Sequence, residues 1–260
     1  MKIQKITKNG QFYKVKFDND TSYKFHESVI IAFGFIKRSI EVSEDKLTNA
    51  LNENNYYLAL DKAITYLYKP RSKVEVKEYL KRYYEKPVID RVLIELERLK
   101  LLNELEYAKY TVDVLSKKGF GKFKIINELE ENKVSLDNIE LAIEEYEEEL
   151  ELINCEKILL KYLPSIKNES KQGLYKKVTN YLKQKGFSNE IITISIEKNQ
   201  DKLDNIIDED EILLKLFNKL LKSKKKTDDD KKFKNKVIRS LTSKGFPLYK
   251  ILKLLEGNYD

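Results

Sequence analysis

One apolar stripe comes back four times in this chain. It reads Leu60, Ala63, Ile64, Leu67; then Leu105, Ala108, Val112, Leu115; then Cys155, Ile158, Leu159, Tyr162; then Leu213, Leu216, Phe217, Leu220. Spacing of i, i+3, i+4, i+7 marks one face of an α-helix. Recurrence about every 50–60 residues marks a repeat architecture, in which each unit buries its neighbour's apolar face. Each stripe is followed by a basic second helix ending near a leucine (Leu80, Leu129, Leu182, Leu241), and by a third helix about ten residues further on.

The joints between second and third helices resemble one another: Glu131-Asn132-Lys133-Val134-Ser135, Gln184-Lys185-Gly186-Phe187-Ser188 and Ser243-Lys244-Gly245-Phe246-Pro247. Gly186 and Gly245 fit a left-handed residue closing a helix. Phe187 and Phe246 would pack the turn, and Ser135, Ser188 or Pro247 would open the third helix. The first copy uses the shorter Tyr84-Glu85-Lys86-Pro87.

The first 25 residues obey a different rule. Asn9-Gly10 is a hairpin signal; Tyr13, Val15 and Phe17 alternate with Phe12, Lys14 and Lys16; Asp18-Asn19-Asp20 makes a second turn before Tyr23 and Phe25. Three short strands bury little alone, so this sheet should lean on the helical segments after it. From His26 onward the chain reads as helical, with Ser43 capping the helix that Glu44-Asp45 begins. The expected fold is mainly α: tandem three-helix repeats in an elongated curved array with a small N-terminal antiparallel β cap. The cap plus a helix takes residues 1–55, and the repeats take 56–102, 103–150, 151–204 and 205–260.

Composition excludes several classes. A lone Cys155 rules out a disulfide framework and a cysteine zinc cluster. The longest apolar run, Val29 to Ile36, is far short of the roughly 20 residues of a membrane span. The N-terminus carries no apolar signal-peptide core, so the expectation is a soluble, cytoplasmic chain. His26 sits at a strand–helix junction and reads as a cap. Cys155 lies on an apolar stripe and reads as a small buried hydrophobe. Gly119-Phe120-Gly121 lacks the pattern of a phosphate loop. Glu144 to Glu151 reads as a solvated helix face. No enzyme, cofactor or metal site is expected.

The net charge of +7 is carried mostly by lysine, for which the codon bias of an AT-rich genome is an alternative source. Its distribution is more informative. Ser72-Lys73-Val74-Glu75 forms a capping box opening a helix with Val76, Leu80 and Tyr83 inward. Lys73, Lys77 and Lys81 stripe the outside, with Arg71 and Arg82 beside them. In the fourth repeat Phe233, Val237 and Leu241 face in. Lys231, Lys232, Lys234, Lys236 and Arg239 face out, after Lys224-Lys225-Lys226. Residues 215–253 hold fourteen basic side chains against Asp228, Asp229 and Asp230, whereas residues 128–151 hold eleven acids against Lys133. Lysine-rich faces suit sequence-nonspecific phosphate attraction, single- or double-stranded, and not base readout. Either charge run can equally be a solvated helix face. Among the tyrosines, which are otherwise core or boundary residues, Tyr84 is the first choice for stacking on a base.

The order Ala63-x-x-Tyr66-Leu67, Arg71-Ser72-x-x-Glu75-Val76-x-x-x-Leu80, Leu102-Asn103-Glu104-x-x-Tyr107-Ala108, Lys118-Gly119 and Ile125-x-x-Glu128-Leu129 resembles the RecX family, regulators of the RecA recombinase. Asn132-Lys133-Val134 departs from the family's Lys-Gly turn, and Pro70 directly precedes Arg71-Ser72. The resemblance implies an all-helical, modular protein, and the chain is expected to be a monomer. It would bind RecA, dock along the groove of the RecA–single-stranded DNA filament and limit filament growth, strand exchange and co-protease activity, and with them recombination, DNA repair and the SOS response. A general nucleic-acid-binding helical protein without a recombinase partner is the alternative.

Overall fold

The computed structural model describes residues 1–223 and 230–257; Lys224-Lys225-Lys226, Asp228 and Asp229 of the basic segment lie outside them. The chain forms two compact units, one of residues 1–110 with 130–138, the other of residues 111–129 with 139–260.

The first unit opens with β1 (Ile3–Asn9), β2 (Phe12–Phe17) and β3 (Ser22–His26), an antiparallel meander in which Asn9 pairs with Phe12 and Phe12 with His26. Gly10, at φ +61°, supplies the left-handed residue of the first hairpin. Alternation puts Val15, Phe17 and Phe25 on the covered face with Ile3. They pack against Val29 and Ile30 of α1 (Glu27–Ala32), against Phe35 and Val42, and against Leu47 and Ala50 further on.

Residues 33–43 are not helical, contrary to the sequence expectation. Gly34 and Ser39 adopt φ +65° and +64°, which stops the helix. The segment runs beside β1, with Ile3 N–H donating to Ile40 O (3.0 Å), Ser39 N–H to Ile3 O (2.8 Å) and Val42 N–H to Met1 O (2.8 Å). These bonds satisfy backbone groups that β1 would otherwise present as an open sheet edge.

Helix α2 (Glu44–Tyr66) is capped by Ser43, whose Oγ accepts from Lys46 N–H, and it runs unbroken through residues 55 and 56. Cap and first repeat therefore share one helix. Its first half closes the sheet core, and its second half packs on α3 (Lys73–Leu80) and α4 (Lys86–Arg98) through Tyr56, Ala59 and Ala63. That buried line is rotated from the anticipated stripe: Leu60 and Leu67 are half-buried and Ile64 is 43% exposed. The two alanines let the partner helices approach closely. Val76, Leu80, Ile89, Val92, Leu93 and Leu96 complete this core. Burying each such side chain contributes on the order of 1.5–3 kcal/mol.

Tyr83 does not face inward. Helix α3 ends at Leu80, whose carbonyl takes the Tyr83 and Tyr84 N–H groups in a tight turn. The turn leaves Tyr83 55% exposed and tucks Tyr84 against the core.

The second repeat consists of α5 (Glu104–Lys117), α6 (Lys122–Glu131) and α7 (Leu136–Ile143), with Ala108, Val112, Ile125, Leu129, Ile139 and Ala142 buried. The third consists of α8 (Glu148–Tyr162), α9 (Lys171–Gln184) and α10 (Asn189–Lys198), extended by the short α11 (Gln200–Asn205). The fourth consists of α12 (Glu209–Lys222), α13 (Asp230–Thr242) and α14 (Leu248–Glu256) around Phe217, Phe233, Val237, Leu241, Phe246 and Ile251. The run Glu144 to Glu151 is not a single helix face. Helix α7 stops at Ile143, and Glu148, Glu149 and Glu151 fall in the first turn of α8, where acids suit the helix dipole.

The joints behave as their sequences direct. Gly186 and Gly245 sit at φ +89° and +83° and close α9 and α13, with Phe187 and Phe246 buried after them. Lys133 adopts φ +62° at the equivalent place in repeat two, followed by buried Val134. Each joint seats on the start of the preceding repeat's second helix. Ser72 Oγ donates to Asn132 Oδ1 (2.7 Å), Gly121 N–H to Lys185 O (2.9 Å), and Ser170 Oγ to Lys244 O (2.8 Å).

Candidate nucleic-acid and partner interface

In the first repeat the expected cations divide into distinct environments. Arg71 is anchored: its Nη1 donates to Glu75 at 2.9 Å, its guanidinium lies 4.4 Å from the Tyr66 ring centroid, and only 15% of its side chain is exposed. The capping box forms as its residues dictate, with Glu75 N–H on Ser72 Oγ and Ser72 N–H on Glu75 Oε2, both at 3.0 Å. Lys73 is exposed and paired with Glu97 at 2.6 Å, and Lys77 is half-buried. Lys81 caps the end of α3 and pairs with Glu78, and Arg82 lies exposed in the turn beyond it. The i, i+4, i+8 stripe therefore survives for Lys73 and Lys77 and loses its third member to the end of the helix.

Arg71, Lys73, Lys77 and Lys133 line a cleft of about 490 Å³ at the start of α3, with Leu93 and Leu102 adding apolar walls.

A ladder of rings rises beside it. Tyr66 and Tyr79 stack at 4.0 Å and 8°, Tyr83 meets Tyr79 edge-on at 5.8 Å, and Lys62 Nζ stands 3.9 Å over the Tyr83 ring. Tyr162 and Tyr181, the same two positions of repeat three, stack at 3.8 Å and 15° with Lys185 Nζ 5.4 Å from Tyr181. Tyr83 is exposed and cation-flanked, as is Tyr68, 77% exposed with Lys69 and Arg71 near its ring. Tyr84 is half-buried, and burial raises its pKa above the ordinary tyrosine value.

In the fourth repeat Lys231, Lys232, Lys236 and Arg239 are exposed on α13, and Lys234 is half-buried, opposite the buried Phe233, Val237 and Leu241. This set shares one continuous helix, as the spacing anticipates.

His26 caps α1, its Nδ1 accepting from Ser28 N–H (3.1 Å) while its ring stacks on Tyr57. Cys155 is wholly buried, and burial pushes its thiol up to about 11. Among the described residues no three His, Cys, Asp or Glu side chains are grouped to hold a metal ion, and no helix is long and apolar enough to cross a membrane.

Sequence reasoning missed three acids. Glu104, Glu151 and Glu209 stand four residues before the buried Ala108, Cys155 and Leu213, and each accepts hydrogen bonds from the start of another helix. Their recurrence at one register of the stripe is the signal that finds them.

Fold and surfaces together define a tandem three-helix repeat protein with a β cap and basic outer faces. Residues 208–255 match the family model described as RecX, third three-helix domain. A "Regulatory protein RecX" of Listeria welshimeri serovar 6b is 30% identical over 99% of this chain and 97% of its own length, and one of Listeria monocytogenes serotype 4b matches to the same extent. A crystal structure of regulatory protein RecX shares the fold, with a TM-score of 0.61 at 22% identity over 75% of this chain and 98% of that one. The chain belongs to the RecX family of regulatory proteins.

Proposed function

We propose that this protein binds RecA and RecA–single-stranded DNA filaments and limits them without catalysing a reaction, restraining recombination, DNA repair and the SOS response in the cytoplasm. The observation that carries this reading is the near full-length match to regulatory RecX proteins. Physical support comes from the repeats. Several weak modular contacts spread over adjacent filament subunits add up by effective concentration. Lys231, Lys236 and Arg239, exposed on one helix, and Arg82 in the first repeat supply point charges for phosphate or for acidic protein surface. The chain acts as a monomer in this scheme, and its own affinity for single- or double-stranded DNA is weak and sequence-nonspecific.

The test is RecA's DNA-dependent ATPase on single-stranded DNA with this protein titrated well below RecA. Substoichiometric loss of activity is expected. Inhibition only once the protein covers the DNA would replace this reading with simple competition by a general DNA binder.

A further inference from the structure

At two of the three joints a glutamate from the following repeat holds the first amide of the second helix. Lys122 N–H donates to Glu151 Oε1 and Lys171 N–H to Glu209 Oε1, both at 2.9 Å. The third joint has the equivalent acid but uses it elsewhere. Glu104 is engaged at the start of α7, accepting from Ser135 N–H (3.0 Å), Ser135 Oγ (2.9 Å) and Asn138 Nδ2 (2.6 Å). Glu104 therefore does not hold the Lys73 amide, and the amides of Lys73 and Val74 have no hydrogen-bond acceptor among the described residues. Both residues line the 490 Å³ cleft, with Lys77 and Lys133 beside them and Leu93 and Leu102 as apolar wall. Arg71 lines it too, and its buried Nε is without a hydrogen-bond acceptor among the described residues. The chain thus places a carboxylate on the two equivalent helix starts, and at the remaining copy turns that carboxylate to α7 and leaves a cleft beside it.

We propose that this cleft binds a carboxylate side chain on an acidic, partly apolar peptide segment of a protein partner. The orphan amides and helix dipole take the carboxylate, Lys77 and Lys133 add charge, and Leu93 and Leu102 receive a neighbouring aliphatic side chain. A nucleic-acid backbone fits less well. Asp90, Glu97 and Glu104 also line the cleft, and Lys73 is already paired with Glu97, so a run of phosphates brings several charges against these acids where a peptide carboxylate brings one. The inference holds whichever protein presents the segment, and it does not require the RecA reading.

The experiment uses the full-length, 15N-labelled protein and a synthetic peptide of residues 207–214, Ile-Asp-Glu-Asp-Glu-Ile-Leu-Leu, the segment that carries Glu209. Saturable shifts of the Lys73 and Val74 amide resonances are expected. A peptide carrying Glu209→Gln should bind roughly tenfold more weakly, as should the protein with Lys77→Gln and Lys133→Gln. Unchanged resonances of distant core amides in that variant show that it is folded. Amides that stay unmoved at millimolar peptide overturn the proposal. So does an oligothymidylate that shifts them at lower concentration than the peptide, which would make the cleft a phosphate site.

Discussion

Gly121 and Gly186 meet backbone against backbone: a Cβ built on Gly121 would lie 2.4 Å from the Gly186 oxygen, and one on Gly186 would lie 2.4 Å from Lys124 N. Phe123 N–H donates to that same Gly186 oxygen at 3.0 Å. The contact seats the third repeat's joint on the second repeat's α6 and leaves no room for a side chain. Gly186→Ala adds a left-handed β-carbon to this clash, so it should lower stability by about 2–4 kcal/mol. Gly10→Ala, at φ +61° with open space around it, should cost only about 1 kcal/mol. Urea midpoints of the two variants give the comparison, and equal losses would mean that the close approach carries no weight.

Lys133 holds the left-handed position that Gly186 and Gly245 hold in the later repeats. A non-glycine residue there is strained by roughly 1–2 kcal/mol, part of which glycine returns as greater freedom in the unfolded chain. Lys133→Gly is expected to raise stability by about 0.5–1 kcal/mol, read from the urea midpoint. A fall would show that the lysine side chain contributes more than its backbone costs.

The periodic parts of this fold are written locally. Val76, Ile125, Leu174 and Phe233 sit at one register of each second helix, and the joint glycines announce their own backbone conformation. Relations between elements are not written that way. Ile64 leaves its stripe because α2 serves two cores and turns its alanines, not its larger residues, toward the close contact. Residues 33–43 carry an apolar run as rich as a helix's, whereas their role is to cover the edge of β1. Tyr83 and Tyr84 exchange the places their spacing suggests because α3 ends one turn early, a choice made by the turn at Leu80. The lysines of α13 are legible, since an exposed helix face is the complement of its buried stripe. The glutamates that reach across to other helices show in the sequence only as acids at one register of the stripe, because which helix start each one reaches depends on which helix ends the packing brings near.

Glu151 is 3% exposed, and burial raises its pKa above the ordinary carboxylate value despite the Lys122 N–H bond. A raised folded pKa means that the folded state favours the protonated acid. Its contribution is fully present below the unfolded pKa and is lost as pH rises through the folded one. Glu151→Gln keeps an acceptor for Lys122 N–H and removes the titration. The stability of the native chain relative to this variant should therefore be greatest in acid and decline to a plateau as pH rises, measured by urea midpoints between about pH 4 and 8. A relative stability that grows with pH would contradict this account.

Tyr83 and Tyr84 should part company under mutation. Removing the exposed ring with Tyr83→Ala takes away one stacking platform and should weaken single-stranded DNA binding by about 1–3 kcal/mol if that face engages bases, with little loss of stability. Tyr84→Ala opens a hole beside Leu80 and the core of the first repeat, so it should cost stability first. Fluorescence anisotropy with oligothymidylate and thermal melts of both variants distinguish the two outcomes, and equal effects on binding would remove Tyr83 from the interface.

Lysine side chains on α13 act on phosphate through charge, so their loss should show most clearly in salt dependence. Replacing Lys231, Lys232, Lys234 and Lys236 with Gln leaves Phe233, Val237 and Leu241 in place, and the helix should persist. Each phosphate contact to a single strand contributes a slope of roughly −0.7 in log K against log salt, so removing two to four contacts should flatten the slope by about 1.4–2.8 and weaken binding most at low salt. Anisotropy titrations at several salt concentrations provide the slope. An unchanged slope with unchanged affinity would take the fourth-repeat face out of DNA association and leave its lysines to acidic protein surface.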